Sequence, residues 1–144
     1  MFAGLFAVLG RIMLALIFII SGAAKLSDIS GTTTYLTANG LPASLALPAA
    51  LFEVVGGMMI VLGIFTRLTA LAFAAFCVVT ALLFHRETAD AMQATAALKN
   101  IAIAGGFLCL FAYEGKSWSL DSYRARRRDE ATREPVVHPG VGAG

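Results

Sequence analysis

The chain has 144 residues, enough for one domain, and it is 58% hydrophobic and only 14% charged. A water-soluble domain clothes itself with about 25% charged residues, so this chain suits lipid as its solvent. The net charge of +2 is too small to argue for nucleic acid.

The first apolar run extends from Phe2 to Leu26 and is interrupted by Arg11. At about 1.5 Å per residue it exceeds a hydrocarbon core of roughly 30 Å, so its first residues are expected at the interface. Arg11 followed by an apolar stretch and Ser21-Gly22-Ala23-Ala24 has the rough shape of a signal peptide. The apolar residues ahead of the arginine favour an uncleaved first span instead. A polar loop follows from Ser27 to Ala46, with one short interfacial helix expected around Thr33 to Ala38.

The second run covers Leu45 to Phe65, a tight turn falls at Thr66-Arg67, and the third run covers Leu68 to Phe84. A polar stretch from His85 to Gln93 leads into the fourth run, Ala94 to Tyr113. Each of these runs has the length of one membrane helix, and none shows the alternation of a barrel strand. Ala70 with Ala74, Ala102 with Gly106, and the pairs Gly56-Gly57 and Gly105-Gly106 supply small residues where helices pack closely in lipid. The fold expected is all-α, an integral membrane four-helix bundle over residues 1–114.

Residues 115–144 form a basic tail, expected to be largely disordered or to hold one short surface helix from about Leu120 to Arg128. Six of the eleven Lys and Arg residues fall between Lys116 and Arg133. Basic residues beside spans favour the cytoplasmic side, so both termini are expected in the cytoplasm. Arg67 in the inner turn agrees, whereas Lys25, Arg86 and Lys99 fall on the outer side. Arg124, Arg126, Arg127 and Arg128 are the candidate contact with anionic lipid, each adding roughly 1 kcal/mol near a charged leaflet, or with a protein partner.

Ionisable groups at membrane depth cost about 2.5–3.5 kcal/mol each and persist when paired or used. Glu53 lies fourteen residues before Arg67, roughly 21 Å along the axis. By the same reckoning Lys25, Glu53, His85, Lys99 and Asn100 share the outer half of the bundle. A Glu53–Lys99 pair would cancel two embedded charges and join spans two and four. Arg11 lies towards the inner half, with lipid phosphate, the end of span four near Tyr113 and Glu114, or Glu53 as partners. Three readings stay open for this cluster: structural glue, a pocket for a polar head group such as a quinone or a small redox substrate, and proton or solute transport.

Cys77 and Cys109 sit in apolar runs and read as buried small residues. They differ by about 9 Å in depth, too far for a disulfide. Without CxxC or Cys/His spacing, and with His138 far off in the tail, no metal site is expected.

Arg11, Gly22-x-x-Lys25, Glu53-x-x-Gly56-Gly57, Gly63-x-x-x-Arg67 and Lys99-Asn100, in this order across residues 10 to about 112, resemble the DoxX family within the wider DoxX/DoxD-like group. The resemblance implies a four-helix inner-membrane bundle with a redox association. DoxD-like relatives serve as a subunit of thiosulfate:quinone oxidoreductase, and some DoxX proteins associate with thiol-stress enzymes. It therefore suggests a quinone as the cofactor and redox-enzyme subunits as partners; the lipid bilayer is the partner that composition implies, and a homo-oligomer is what four spans would need to act as a transporter. It carries over no catalytic residue, and the chain has no haem, flavin or iron–sulfur signature of its own. A non-enzymatic scaffold or assembly protein, and a small transporter, are the alternatives.

Overall fold

A computed structural model describes residues 2–84, 91–113 and 119–132. Its helices are α1 (Phe2–Ser27), α2 (Ile29–Ala38), α3 (Ala46–Leu62), α4 (Thr66–Phe84), α5 (Ala91–Tyr113) and α6 (Leu120–Thr132), with one 3₁₀ turn at Ala43–Leu45. Four of them, α1, α3 (with the 3₁₀ turn), α4 and α5, are long and apolar enough to cross a membrane. Large apolar side chains point outward all along these helices, among them Phe6, Met13, Leu68, Leu82 and Leu98. Such a surface is stable against hydrocarbon and not against water.

The bundle is built from two helix pairs. Helix α1 packs along α3, and α4 packs along α5. Gly22 explains the intimacy of the first pair. A Cβ placed on it would lie 2.8 Å from the Ala50 carbonyl oxygen and 2.9 Å from the Glu53 Cβ, so the α1 backbone rests directly on α3. The pairs join through aromatic rings at the centre. Phe73 (α4) stacks on Phe107 (α5) at 5.1 Å and meets Phe18 (α1) at 4.3 Å and Phe52 (α3) at 4.8 Å. Ala70 and Ala74 are buried as expected, but Ala102 faces outward, and Ala104 and Phe107 carry the inner face of α5.

The element ends depart from the sequence expectation for local reasons. Helix α2 begins at Ile29, four residues before Thr33, because the Asp28 carboxylate accepts the Gly31 N–H at 2.8 Å and caps it. Helix α3 stops at Leu62, before Phe65, because Gly63 takes a left-handed conformation with φ of 70°. The same chain reversal lets α4 start at Thr66, two residues before Leu68. Helix α5 starts at Ala91, three residues before Ala94.

The tail forms a helix to Thr132, four residues past the expected Arg128, and its first turn is fastened to the bundle. Asp121 N–H donates to the Gly63 carbonyl at 3.1 Å. The Asp121 carboxylate in turn accepts from the Thr66 N–H at 3.0 Å and from its hydroxyl at 3.3 Å. One residue of α6 thus satisfies an orphan N–H of α4 and a carbonyl at the end of α3. Arg67 closes the same end by donating from Nε to the Phe111 carbonyl at 3.1 Å, with its guanidinium 4.9 Å above the Phe111 ring.

Candidate functional site

At the opposite end, helices α1 to α5 enclose a cavity of about 800 Å³. Its walls are mostly aliphatic and aromatic, with Phe52, Phe76 and Phe84 among them. Tyr35 of α2 stacks on Phe84 of α4 at 5.3 Å and helps close this side. Against the apolar wall stand the groups that depth reckoning collected: Lys25, Glu53, Lys99 and Asn100 all line the cavity. His85 lies outside the described residues.

The pairing inside this cluster differs from the expected one. Glu53 binds Lys25, not Lys99: Lys25 Nζ stands 2.7 Å and 2.6 Å from the two Glu53 carboxylate oxygens. The same nitrogen donates to Ser21 Oγ at 2.6 Å, one turn back on α1. The reason is the close approach at Gly22, which brings α1 against α3 where Glu53 emerges. Lys99 belongs to α5, which packs on α4 instead. Glu53 is 3% exposed, so the ion pair that Lys25 makes with both carboxylate oxygens is what keeps its charge tolerable, and Ser21 Oγ holds that ammonium by accepting from it.

An ammonium has three N–H donors, and here all three are committed. Lys99 is exposed and has no acidic partner among the described residues. Asn100 donates from Nδ2 to Thr80 Oγ1 at 3.3 Å, which ties α5 to α4 at the cavity wall. Cys77 is buried at the cavity wall, while Cys109 is exposed on the lipid-facing side, contrary to the expectation of two buried thiols. Both are free, as the depth argument required. No group of three or more His, Cys, Asp or Glu side chains suited to a metal occurs among the described residues.

Arg11 stands apart from the cluster. It is 3% exposed, and a Cβ on Gly63 would lie 2.6 Å from its Nη1 and 2.5 Å from Ser119 Cβ. It therefore sits beneath the start of α6, at the carbonyl end of α3, where the helix dipole favours a cation. Of the three partners expected, Glu53 is taken by Lys25, burial removes Arg11 from lipid phosphate, and Glu114 at the end of span four lies outside the described residues. The arginines Arg124, Arg126, Arg127 and Arg128 are exposed on α6. Arg127 donates to the Tyr123 hydroxyl at 3.1 Å.

Ser21, Thr80 and Asp121 escaped the sequence reading. Ser21 had a signal, since it stands four residues before a lysine on a helix. Asp121 had a weaker one, as an acid just inside a helix start.

The DoxX family model matches residues 6–86, more than half of the chain. The inner membrane protein YqjF of Escherichia coli (strain K12) is 37% identical over 111 residues, 77% of this chain and 85% of that protein. The inner membrane protein YphA of the same strain is 37% identical over 120 residues, 78% of this chain and 86% of YphA. A shorter likeness, 31% over 64 residues, reaches CatD of Bacillus subtilis (strain 168), covering 44% of this chain and 48% of CatD, whose name assigns it provisionally to the oxidoreductases. No solved structure matches the chain.

Proposed function

We propose a function from one premise: this chain belongs to the DoxX family. It is an inner-membrane subunit of a quinone-linked oxidoreductase, and its cavity holds the lipid-soluble carrier. The observation that carries this reading is a cavity of about 800 Å³ at the end of a membrane bundle, greasy along its walls and polar at Lys25, Glu53, Lys99 and Asn100. Ligand pockets of roughly 300–1,000 Å³ with few placed polar groups are typical of small-molecule sites. A quinone suits both parts, since its ring stacks on aromatic side chains and its carbonyls accept hydrogen bonds. The oxidoreductase name of CatD supports the redox side of the proposal. Both termini face the cytoplasm in this reading, with α6 on the cytoplasmic surface.

The test is purification from native membranes, with mass spectrometry of lipid-soluble molecules and co-purifying proteins. Bound quinone is expected, together with a redox enzyme. Electron transfer is expected to fall in Asn100→Ala and Lys99→Met variants that still fold. Protein free of quinone, with both variants fully active, would overturn the proposal. A second reading rests on α6, a helix anchored through Asp121 with four exposed arginines: the protein is a scaffold that recruits partners there. Unchanged co-purification after deletion of residues 116–144 would remove it.

A further inference from the structure

The cavity contains an imbalance of charge. Its ionic residues among those described are Lys25, Lys99 and Glu53, which sum to one positive charge. Lys25 and Glu53 neutralise each other at 2.6 Å, and with Ser21 they use every donor that Lys25 has. Lys25 is thus a closed unit that offers no N–H to a ligand unless a bond is broken. The cation left over is Lys99.

Beside Lys99 stands Asn100, which uses one N–H on Thr80 and retains a second N–H and its carbonyl oxygen. These two consecutive residues of α5 place donors at one pole of the cavity. The remainder is apolar, with Phe52, Phe76 and Ile103 among the walls. A site whose described residues leave one cation without an acidic partner, with a neutral amide beside it and a long greasy wall, complements an amphiphile whose head is an anion. A charge-assisted contact between such a head and Lys99 is stronger than a contact between neutral groups.

We propose that the cavity binds a long-chain amphiphile with an anionic head group, a carboxylate or a phosphate, held by Lys99 and Asn100 while Lys25–Glu53 stays closed. This ligand shares the cavity with the quinone but differs in the charge it brings. The two head chemistries have two natural sources, free fatty acid and phospholipid.

The experiment uses the full-length protein in micelles of a nonionic maltoside detergent, with protein-free micelles as background. Binding of radiolabelled oleate is measured by displacement with oleate, dodecyl phosphate, oleyl alcohol and a short-chain ubiquinone. Saturable oleate binding is expected, with oleyl alcohol weaker by about tenfold or more, the scale of one charge-assisted contact. Lys99→Gln is expected to abolish that preference and Lys99→Arg to retain it. Stronger displacement by dodecyl phosphate assigns the head to a phosphate, and weaker displacement to a carboxylate. Equal affinity for oleate and oleyl alcohol, or an unchanged preference in Lys99→Gln, would overturn the inference. Lys99-dependent oleate binding without ubiquinone displacement would sink the quinone reading and leave this one standing.

Discussion

Replacing Lys25 with methionine removes the partner of a carboxylate that is 3% exposed. Truncating one member of a buried ion pair costs about 3–5 kcal/mol, because the other charge is left uncompensated. Lys25 itself is 32% exposed, so some water reaches the pair, and the lower end, about 3 kcal/mol, is expected. Glu53→Gln is milder. It leaves a lysine that keeps Ser21 and reaches solvent, and the loss is about 1–2 kcal/mol. The double variant should then be more stable than Lys25→Met alone, since the orphaned carboxylate is gone. For a protein of this size each kcal/mol moves the unfolding midpoint by about 2–4 °C. Lys25→Met should therefore unfold about 6–12 °C below the parent by circular dichroism in detergent, Glu53→Gln less so, and the double variant between the two. Equal shifts in the single variants that simply add in the double would refute a buried, coupled pair.

Three further outcomes follow from the packing. Gly22→Val forces a branched side chain against the Ala50 carbonyl and should destabilise the bundle by about 1–3 kcal/mol, read as a lower thermal midpoint. Asp121→Ala removes the acceptor for the Thr66 N–H and should cost about 0.5–2 kcal/mol. It should also expose the chain around residue 119 to protease, and an unchanged digestion pattern would count against the docked helix. In detergent at mildly alkaline pH a maleimide should label the exposed Cys109 faster than the buried Cys77, and non-reducing gels should show no Cys77–Cys109 crosslink.

Residue spacing along each run gave the four spans, because length and apolarity suffice for that. It also collected Lys25, Glu53, Lys99 and Asn100 at one level, because a helix converts residue number into depth. Depth does not determine which way a side chain turns around its axis. Depth alone therefore pairs Glu53 as readily with Lys99 as with Lys25, and it is Gly22, three residues before Lys25, that marks the face of α1 that meets α3. The bond between Asp121 and Thr66 was hidden for another reason: it joins positions 55 apart, in a tail whose composition suggested no packing at all. Cys109 shows a third limit. In lipid an apolar residue is equally at home inside and outside the bundle, so apolarity alone cannot sort the two.

The Asp121 contact has a consequence for biogenesis. The α3–α4 turn leaves the ribosome long before residue 121 is synthesised, so the first N–H of α4 must wait with another acceptor while α5 is made. A helix translated later, α6, thus completes an end formed three helices earlier. Chains released short of residue 121 would insert all four spans and still lack the cap that joins the second to the third.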